Sequence, residues 1–255
     1  MAVLSFEALM TQILDIGKAM LIAGAEIYRV EDTITRLITA YGGTQAQVNA
    51  VPSSIVVTAS FEGREYTLSR RVTYTDTDME LLDRLNALSR RICSEKPSTE
   101  EIQLLSQEAC ARPKYGPYQN ALIYALTSCS FTLFFGGGAA EALASAVIGF
   151  ALFWLRSLIM RTGGNKVFVA LLCSAFAALM AMLAGTFGFV TAADKVIIGV
   201  VMLLIPGVQL LNGIRDLISG DIQAGIMHIS EALFLALVIA TGAAGMSMLA
   251  KQMGL

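Results

Sequence analysis

Charge is scarce in this 255-residue chain: 18 Lys and Arg and 20 Asp and Glu amount to 15% of it, against 55% hydrophobic side chains and a mean hydropathy of +0.65. That composition excludes an ordinary water-soluble globular domain. A formal net charge of −2 leaves no electrostatic footprint for nucleic acid. Histidine occurs once, as His228, and the four cysteines (Cys93, Cys110, Cys129, Cys173) form no Cys-x-x-Cys pair. Neither a zinc site nor a disulfide framework is indicated, and the cysteines are expected to be small apolar fillers. Also missing are a Gly-x-x-x-x-Gly-Lys-Ser/Thr phosphate loop, a His-Glu-x-x-His zinc helix and a Gly-x-Ser-x-Gly nucleophile elbow. Direct ATP drive and the corresponding hydrolytic chemistries therefore lack their residues, and no enzymatic activity, cofactor or metal is expected. Met1 to Met20 has no basic cluster and carries Glu7 and Asp15 among its apolar residues, which is wrong for a signal peptide. Residue 1 is expected to stay in the cytoplasm.

What charge there is lies mostly on one side of Tyr118, with 27 of the 38 charged residues in the first 118 positions. The two parts are built for different solvents. Residues 1–118 read as a cytoplasmic α+β domain. Phe6, Leu9, Ile13, Ile16, Met20, Ile27, Ile34, Leu37 and Tyr41 carry a helical period, which Gly42-Gly43 ends. Ile55, Val57, Ala59 and Phe61, then Tyr66 and Leu68, alternate about Glu62-Gly63-Arg64 as a β-hairpin, with Gln47 to Val51 available as a third strand. Thr77-x-x-Glu80 and Ser98-x-x-Glu101 have the form of capping boxes opening two further helices. The basic, aromatic, helix-breaking run Arg112 to Tyr118 is suited to a chain entering a bilayer.

Residues 119–255 read as an α-helical bundle of five transmembrane helices: Gln119 to Phe135, Ala139 to Leu155, Val167 to Phe187, an interrupted Val196 to Leu211, and Ile222 to Leu249. With the amino terminus inside, Arg112, Lys114, Arg156, Arg161, Lys166 and Arg215 fall on the cytoplasmic side, and only Lys195 and Lys251 outside. The carboxyl terminus is then expected outside.

The fourth segment is broken by Pro206-Gly207, which removes a backbone donor and loosens the helix shortly before Asn212-Gly213-Ile214-Arg215-Asp216. Broken helices of this kind form substrate and ion sites in transporters. Asp216 is a candidate because it follows the break. In the fifth segment, a helix starting at Asp221 puts Glu231 about 15 Å along, near the middle of a hydrocarbon layer about 30 Å thick. Such a carboxyl should face a cavity, pair, or stay protonated. His228, one turn earlier, is a proton-carrying candidate or an interhelical hydrogen-bond donor.

Two segments carry a family resemblance. Gly24-Ala25-Glu26-Ile27-Tyr28-Arg29-Val30-Glu31-Asp32-Thr33, and Ile205 to Asp221 followed by Glu231-Ala232, resemble the threonine/serine exporter family, over nearly the whole chain. The resemblance implies a cytoplasmic α+β domain before a multispanning region that exports small polar metabolites. It is to the larger subunit of a split form, similar to bacterial succinate-export subunits. A small all-membrane partner of four or five spans is implied, and with it a homo- or hetero-oligomer. The resemblance adds weight to Pro206, Gly207, Asn212, Asp216 and Glu231 in the membrane and to Arg29 and Glu31 in the soluble domain, where Glu26 and Arg29 also have ion-pair spacing. The implied function is a subunit of a secondary exporter in the cytoplasmic membrane, for threonine/serine-type amino acids or C4 dicarboxylates such as succinate, driven by an ion gradient. The alternative is a membrane-anchored sensor whose soluble domain binds a small molecule.

Overall fold

The computed structural model describes residues 3–111 and 115–254. It separates into two compact units, Met1–Pro113 with Gly207–Ser230, and Lys114–Pro206 with Glu231–Leu255. This differs from a division at residue 118: a 24-residue stretch of the apolar half groups with the first unit. Of the entry segment, Arg112, Pro113 and Lys114 lie outside the described residues.

In the first unit the apolar period running from Phe6 to Tyr41 belongs to two helices, α1 (Val3–Ile22) and α2 (Ile27–Ala40), rather than one. The break is at Gly24, whose φ of +87° is in the left-handed region. A Cβ there would lie 2.9 Å from the Asp76 carbonyl oxygen. The sheet is an antiparallel meander of β1 (Thr44–Val51), β2 (Ser54–Phe61) and β3 (Arg64–Arg71), so the third strand forms. Glu62 and Gly63, both at positive φ, make the tight turn between β2 and β3. Ile55, Val57 and Ala59 of β2 face inward, as their alternation requires, onto the α1 residues Met10, Ile13, Leu14 and Met20. Helix α3 (Met79–Glu95) adds Leu85 and Ile92, and α4 (Thr99–Cys110) adds Ile102. Each such side chain contributes about 1.5–3 kcal/mol by leaving water. The Ser98–Glu101 capping box is present. The other cap is one residue later than its motif suggests, with Asp78 accepting from the Leu81 N–H.

Two helices from the apolar half complete this unit: α9 (Gly207–Ser219) and the first nine residues, Ile222–Ser230, of α10 (Ile222–Gln252). Their close approach requires glycine. A Cβ on Gly213 would sit 3.0 Å from the Gly225 carbonyl oxygen, and one on Gly225 2.8 Å from the Gly213 carbonyl oxygen.

The second unit contains α5 (Pro117–Phe134), α6 (Ala139–Arg161), α7 (Lys166–Thr186), α8 (Ala193–Val201) and α10 from Glu231 onward. Its helices meet through small residues. A Cβ on Gly149 would lie 2.8 Å from the Tyr124 carbonyl oxygen, one on Gly199 2.8 Å from Thr132 N, and one on Gly242 2.6 Å from the Leu171 carbonyl oxygen. Leu122, Leu126, Leu143, Val147, Leu158, Phe168 and Leu237 face outward. At one end Glu141 joins two loops. Its Oε1 accepts from Thr191 N (2.9 Å), Thr191 Oγ1 (3.0 Å) and Ala192 N (3.3 Å), and its Oε2 from Gly138 N (3.0 Å). Among the described residues three helices, α6, α7 and α10, are long and apolar enough to cross a membrane, and there is a fourth span if Ala193–Leu204 and Gly207–Ser219 are one broken crossing. Helix α5, counted as a span from the sequence, falls short because Tyr118, Gln119 and Asn120 dilute its apolar run.

Candidate functional site

Where α1 ends and α2 begins, the turn at Gly24 leaves backbone groups that neither helix satisfies. Helix α2 has Glu26 at its N-cap without a side-chain capping bond, so its first amides need an outside partner. Asp216 supplies it: the Ile27 N–H donates to Asp216 Oδ1 at 3.1 Å. A carboxylate here also complements the positive end of the helix dipole. One turn earlier on α9, Asn212 Nδ2 donates to the Gly24 carbonyl at 2.8 Å. Between them Arg215 forms an ion pair with Glu26. The two signature segments, about 190 residues apart in sequence, thus meet through three polar contacts.

Asp216 is fully buried, and its second oxygen lies 2.9 Å from His228 Nδ1 on α10. With Asp216 ionised, that nitrogen carries the proton. Asp216 therefore ties three helices together: α9, which carries it, the amino terminus of α2, and α10. Glu31, one turn along α2, accepts from the Ala50 N–H of β1 at 2.7 Å. Burial pushes its carboxyl above the usual glutamate value, opposed by the Ala50 bond and reinforced by the charges of Asp221 and Asp216. Asp221, in the turn between α9 and α10, is raised by burial and then by Asp216.

Beside this junction lies an open cleft of about 420 Å³, lined by Glu26, Tyr28, Arg29, Arg215, Ile218 and Ser219. Glu26 is 6% exposed. Its Oε1 pairs with Arg215 and its Oε2 is 3.3 Å from Arg29 Nε, so the spacing read from the sequence does form an ion pair. Both guanidinium side chains remain about half exposed, at 53%.

The structure thus gathers Arg29, Asn212, Asp216 and His228 around one junction, with Glu31 alongside. Pro206 and Gly207 stand at the break between α8 and α9. Arg215, counted from the sequence as a loop charge, is instead within α9 and paired. Glu231 is the first residue of α10 that groups with the second unit. Its carboxylate is half exposed and lies 3.7 Å from the Nζ of Lys166, the first residue of α7. Nine residues of α10 precede it, in the first unit. It does pair, which was one of the outcomes open to it. Sequence reasoning missed the bridging role of Glu26 and Arg215, and it missed Glu141, whose three-residue spacing from Gly138 was the available signal. Among the described residues no group of three or more His, Cys, Asp or Glu could hold a metal ion.

The family model described as "Putative threonine/serine exporter" matches residues 11–250. A Mycobacterium tuberculosis protein described as "Probable threonine/serine exporter" is 25% identical over 232 residues, 89% of this chain and 43% of that protein. The chain therefore spans less than half the length of the relative it matches. No solved structure matches.

Proposed function

The chain belongs to the threonine/serine exporter family, and from that premise we propose that it is a subunit of a secondary exporter for small polar metabolites, of the threonine/serine type or C4 dicarboxylates such as succinate. The observation that carries this reading is the meeting of the two signature segments at a charged cleft, with a buried Asp216–His228 pair behind it. Helices α5 to α8 and the later part of α10 form the membrane region, five crossings in all if α5 is counted and Ala193–Leu204 with α9 makes one broken crossing. Tyr118 packs edge-on against Trp154 at 5.4 Å, close in sequence to Arg156. Aromatic and basic residues together suit the cytoplasmic interface of the inner membrane. The amino terminus is then inside and the carboxyl terminus outside. A small all-membrane partner supplies further spans, in keeping with a chain that covers 43% of the relative it matches.

Coupling is to protons. Asp216 and His228 form a buried pair that can exchange a proton while holding the start of α2, and a change in that pair alters how α2, α9 and α10 are held together. Glu231 lies 3.7 Å from Lys166 and serves as an ion-paired residue. The test is flux of labelled threonine and succinate in proteoliposomes containing this chain and the co-expressed partner, under an imposed pH gradient. Asp216→Asn is expected to abolish the pH dependence of flux, and Glu231→Gln to retain it. Unchanged coupling in Asp216→Asn removes the pair from the mechanism.

The cleft lies wholly within the first unit, which favours one second reading, a membrane-anchored sensor. Saturable ligand binding with no flux in the co-expressed system selects it.

A further inference from the structure

We infer that the outer face of α9 and of the first turns of α10 docks the first unit on the membrane. That face is seated in the headgroup region of the cytoplasmic leaflet, and Arg29 and Arg215 bind the phosphate of an anionic phospholipid beside it. This rests on the reading of the second unit as the membrane region.

Helix α9 is turned inside out relative to a helix that faces water. Its polar residues Asn212 and Asp216 are buried toward the start of α2. Leu210, Leu211, Ile214 and Ile218 are exposed, Ile218 at 81%. At 3.6 residues per turn these four fall within an arc of about 100°, centred opposite Asn212 and Asp216. Ile222 and Ile226, one turn apart at the start of α10, are exposed as well. A helix against water points such residues inward, and an apolar surface of this extent marks an interaction site.

The chain itself favours lipid as the cover. Helix α10 has 31 residues and is about 46 Å long, whereas a hydrocarbon layer is about 30 Å thick. With Lys251 of its last turn reaching the far headgroups, about ten residues remain at the other end, and Ile222–Ser230 are those residues. They emerge into the headgroup region, and α9 is held there with them by the Gly213–Gly225 approach. In the broken fourth crossing, α9 is then the part at the inner surface, with one face on lipid and the other on α2. An interfacial helix buries its apolar face about 5–10 Å into the headgroup boundary and carries cations beside it. Arg215 is the only charged residue of α9 that is not buried, and it lines one cleft with Ile218, Arg29 and Tyr28. There two half-exposed guanidinium groups stand against a single carboxylate, Glu26, which is itself buried. What reaches the surface is positive. Arg215 uses Nη1 on Glu26, and Arg29 turns Nε toward it. The other donors of each planar fork suit phosphate oxygens, and the Tyr28 ring suits the same level.

The experiment places one tryptophan at a time in the full-length chain, in a Trp154→Phe background, and measures quenching of its emission by acyl-brominated lipid in proteoliposomes. Ile218→Trp is expected to be quenched by brominated phosphatidylcholine within about twofold of Leu237→Trp, an exposed position of the second unit. Arg64→Trp is expected to escape quenching. It pairs with Phe61 near Gly42, past the far end of the 14-residue α2, about 20 Å away. Ile222→Trp repeats the measurement if Ile218→Trp does not fold. At equal mole fraction, brominated phosphatidylglycerol is expected to be enriched about fivefold over brominated phosphatidylcholine beside Ile218→Trp. Adding Arg29→Gln is expected to bring the two quenching curves together. Quenching at Leu237→Trp with none at Ile218→Trp or Ile222→Trp overturns the docking surface, as when a second copy or a partner subunit covers it, and leaves the membrane reading standing. No quenching at any of these positions removes the membrane reading as well. Equal quenching by the two lipids, or a preference that survives Arg29→Gln unchanged, overturns the anionic-lipid site.

Discussion

The interiors of the two units are made of different residues. In the first unit the fully buried side chains are large: Met10, Ile13, Leu14, Met20, Ile55, Leu85 and Ile92. In the second most are small, Ala121, Ser128, Thr132, Ser145, Cys173, Ser174, Ala177, Ala178 and Ala181, with Leu152, Val196 and Val200 beside them, while many of the leucines and phenylalanines face out. The contrast follows from solvent. Where water surrounds a fold, burying large apolar side chains is the driving force. Where lipid does, a leucine gains little by turning inward, and helices associate through close backbone approach at small residues. The contrast also explains the polar groups. In the first unit, Asp216 and Glu26 are buried by packing and matched to helix ends and cations. In the second, Glu141 takes four hydrogen bonds from loops at one end of the bundle.

The comparison can be broken most forcefully in the first core. Leu85→Ala is expected to destabilise the first unit by about 2–5 kcal/mol, the cost of a cavity at a fully buried leucine. Leu237→Ala, at a position 66% exposed in the second unit, is expected to leave it nearly unchanged in nanodiscs. Hydrogen exchange resolved by segment separates the two, and equal losses would remove the two-solvent account. Next in size is overpacking of the bundle. Gly149→Val must displace the Ser128 side chain or the Tyr124 carbonyl, at about 1–3 kcal/mol. The emission of Trp154, the single tryptophan, lies on the same helix and reports the change. A wild-type melting curve would show that α5 and α6 have slack that the structure does not contain.

The smallest effect concerns pH. Because burial holds the Glu31 pKa above its usual 4.5 in the folded protein, the folded state binds more protons than the unfolded state just above that value. Stability contributed at this residue is therefore greatest below pH 4.5 and falls as pH rises through the raised folded value. Glu31→Gln is expected to flatten that part of the stability–pH curve of the first unit. Curves that superimpose after normalisation would show that Glu31 is not perturbed.

Much of this was legible in the residues because it depends on local rules. The meander followed from period-two alternation and the Glu62-Gly63 turn, the α4 cap from Ser98 and Glu101, and the helix break from Pro206-Gly207. The division of α10 was not legible. Its apolar run is continuous in sequence, and a local count had no way to know that Ile222–Ser230 packs with the first unit. The long apolar period through Gly24 hid a turn, since the residues on both sides are apolar and only the approach of Asp76 shows why glycine is needed there. Glu26 and Arg215 each looked like a surface charge, because neither segment alone carries a partner that buries it.

Two properties were determined by the sequence by itself: which stretches suit water and which suit lipid, and which segments carry the polar residues worth attention. Hydropathy and periodicity are sums over near neighbours, so no folding is needed to read them. The tertiary structure alone decided that Gly24–Glu31 and Asn212–Asp216 share one junction, that Asp216 satisfies the amide of Ile27, and that Glu231 ends beside Lys166. Those pairings span long loops of chain, and their partners are chosen by the backbone groups and charges that packing leaves unsatisfied, which no local pattern records.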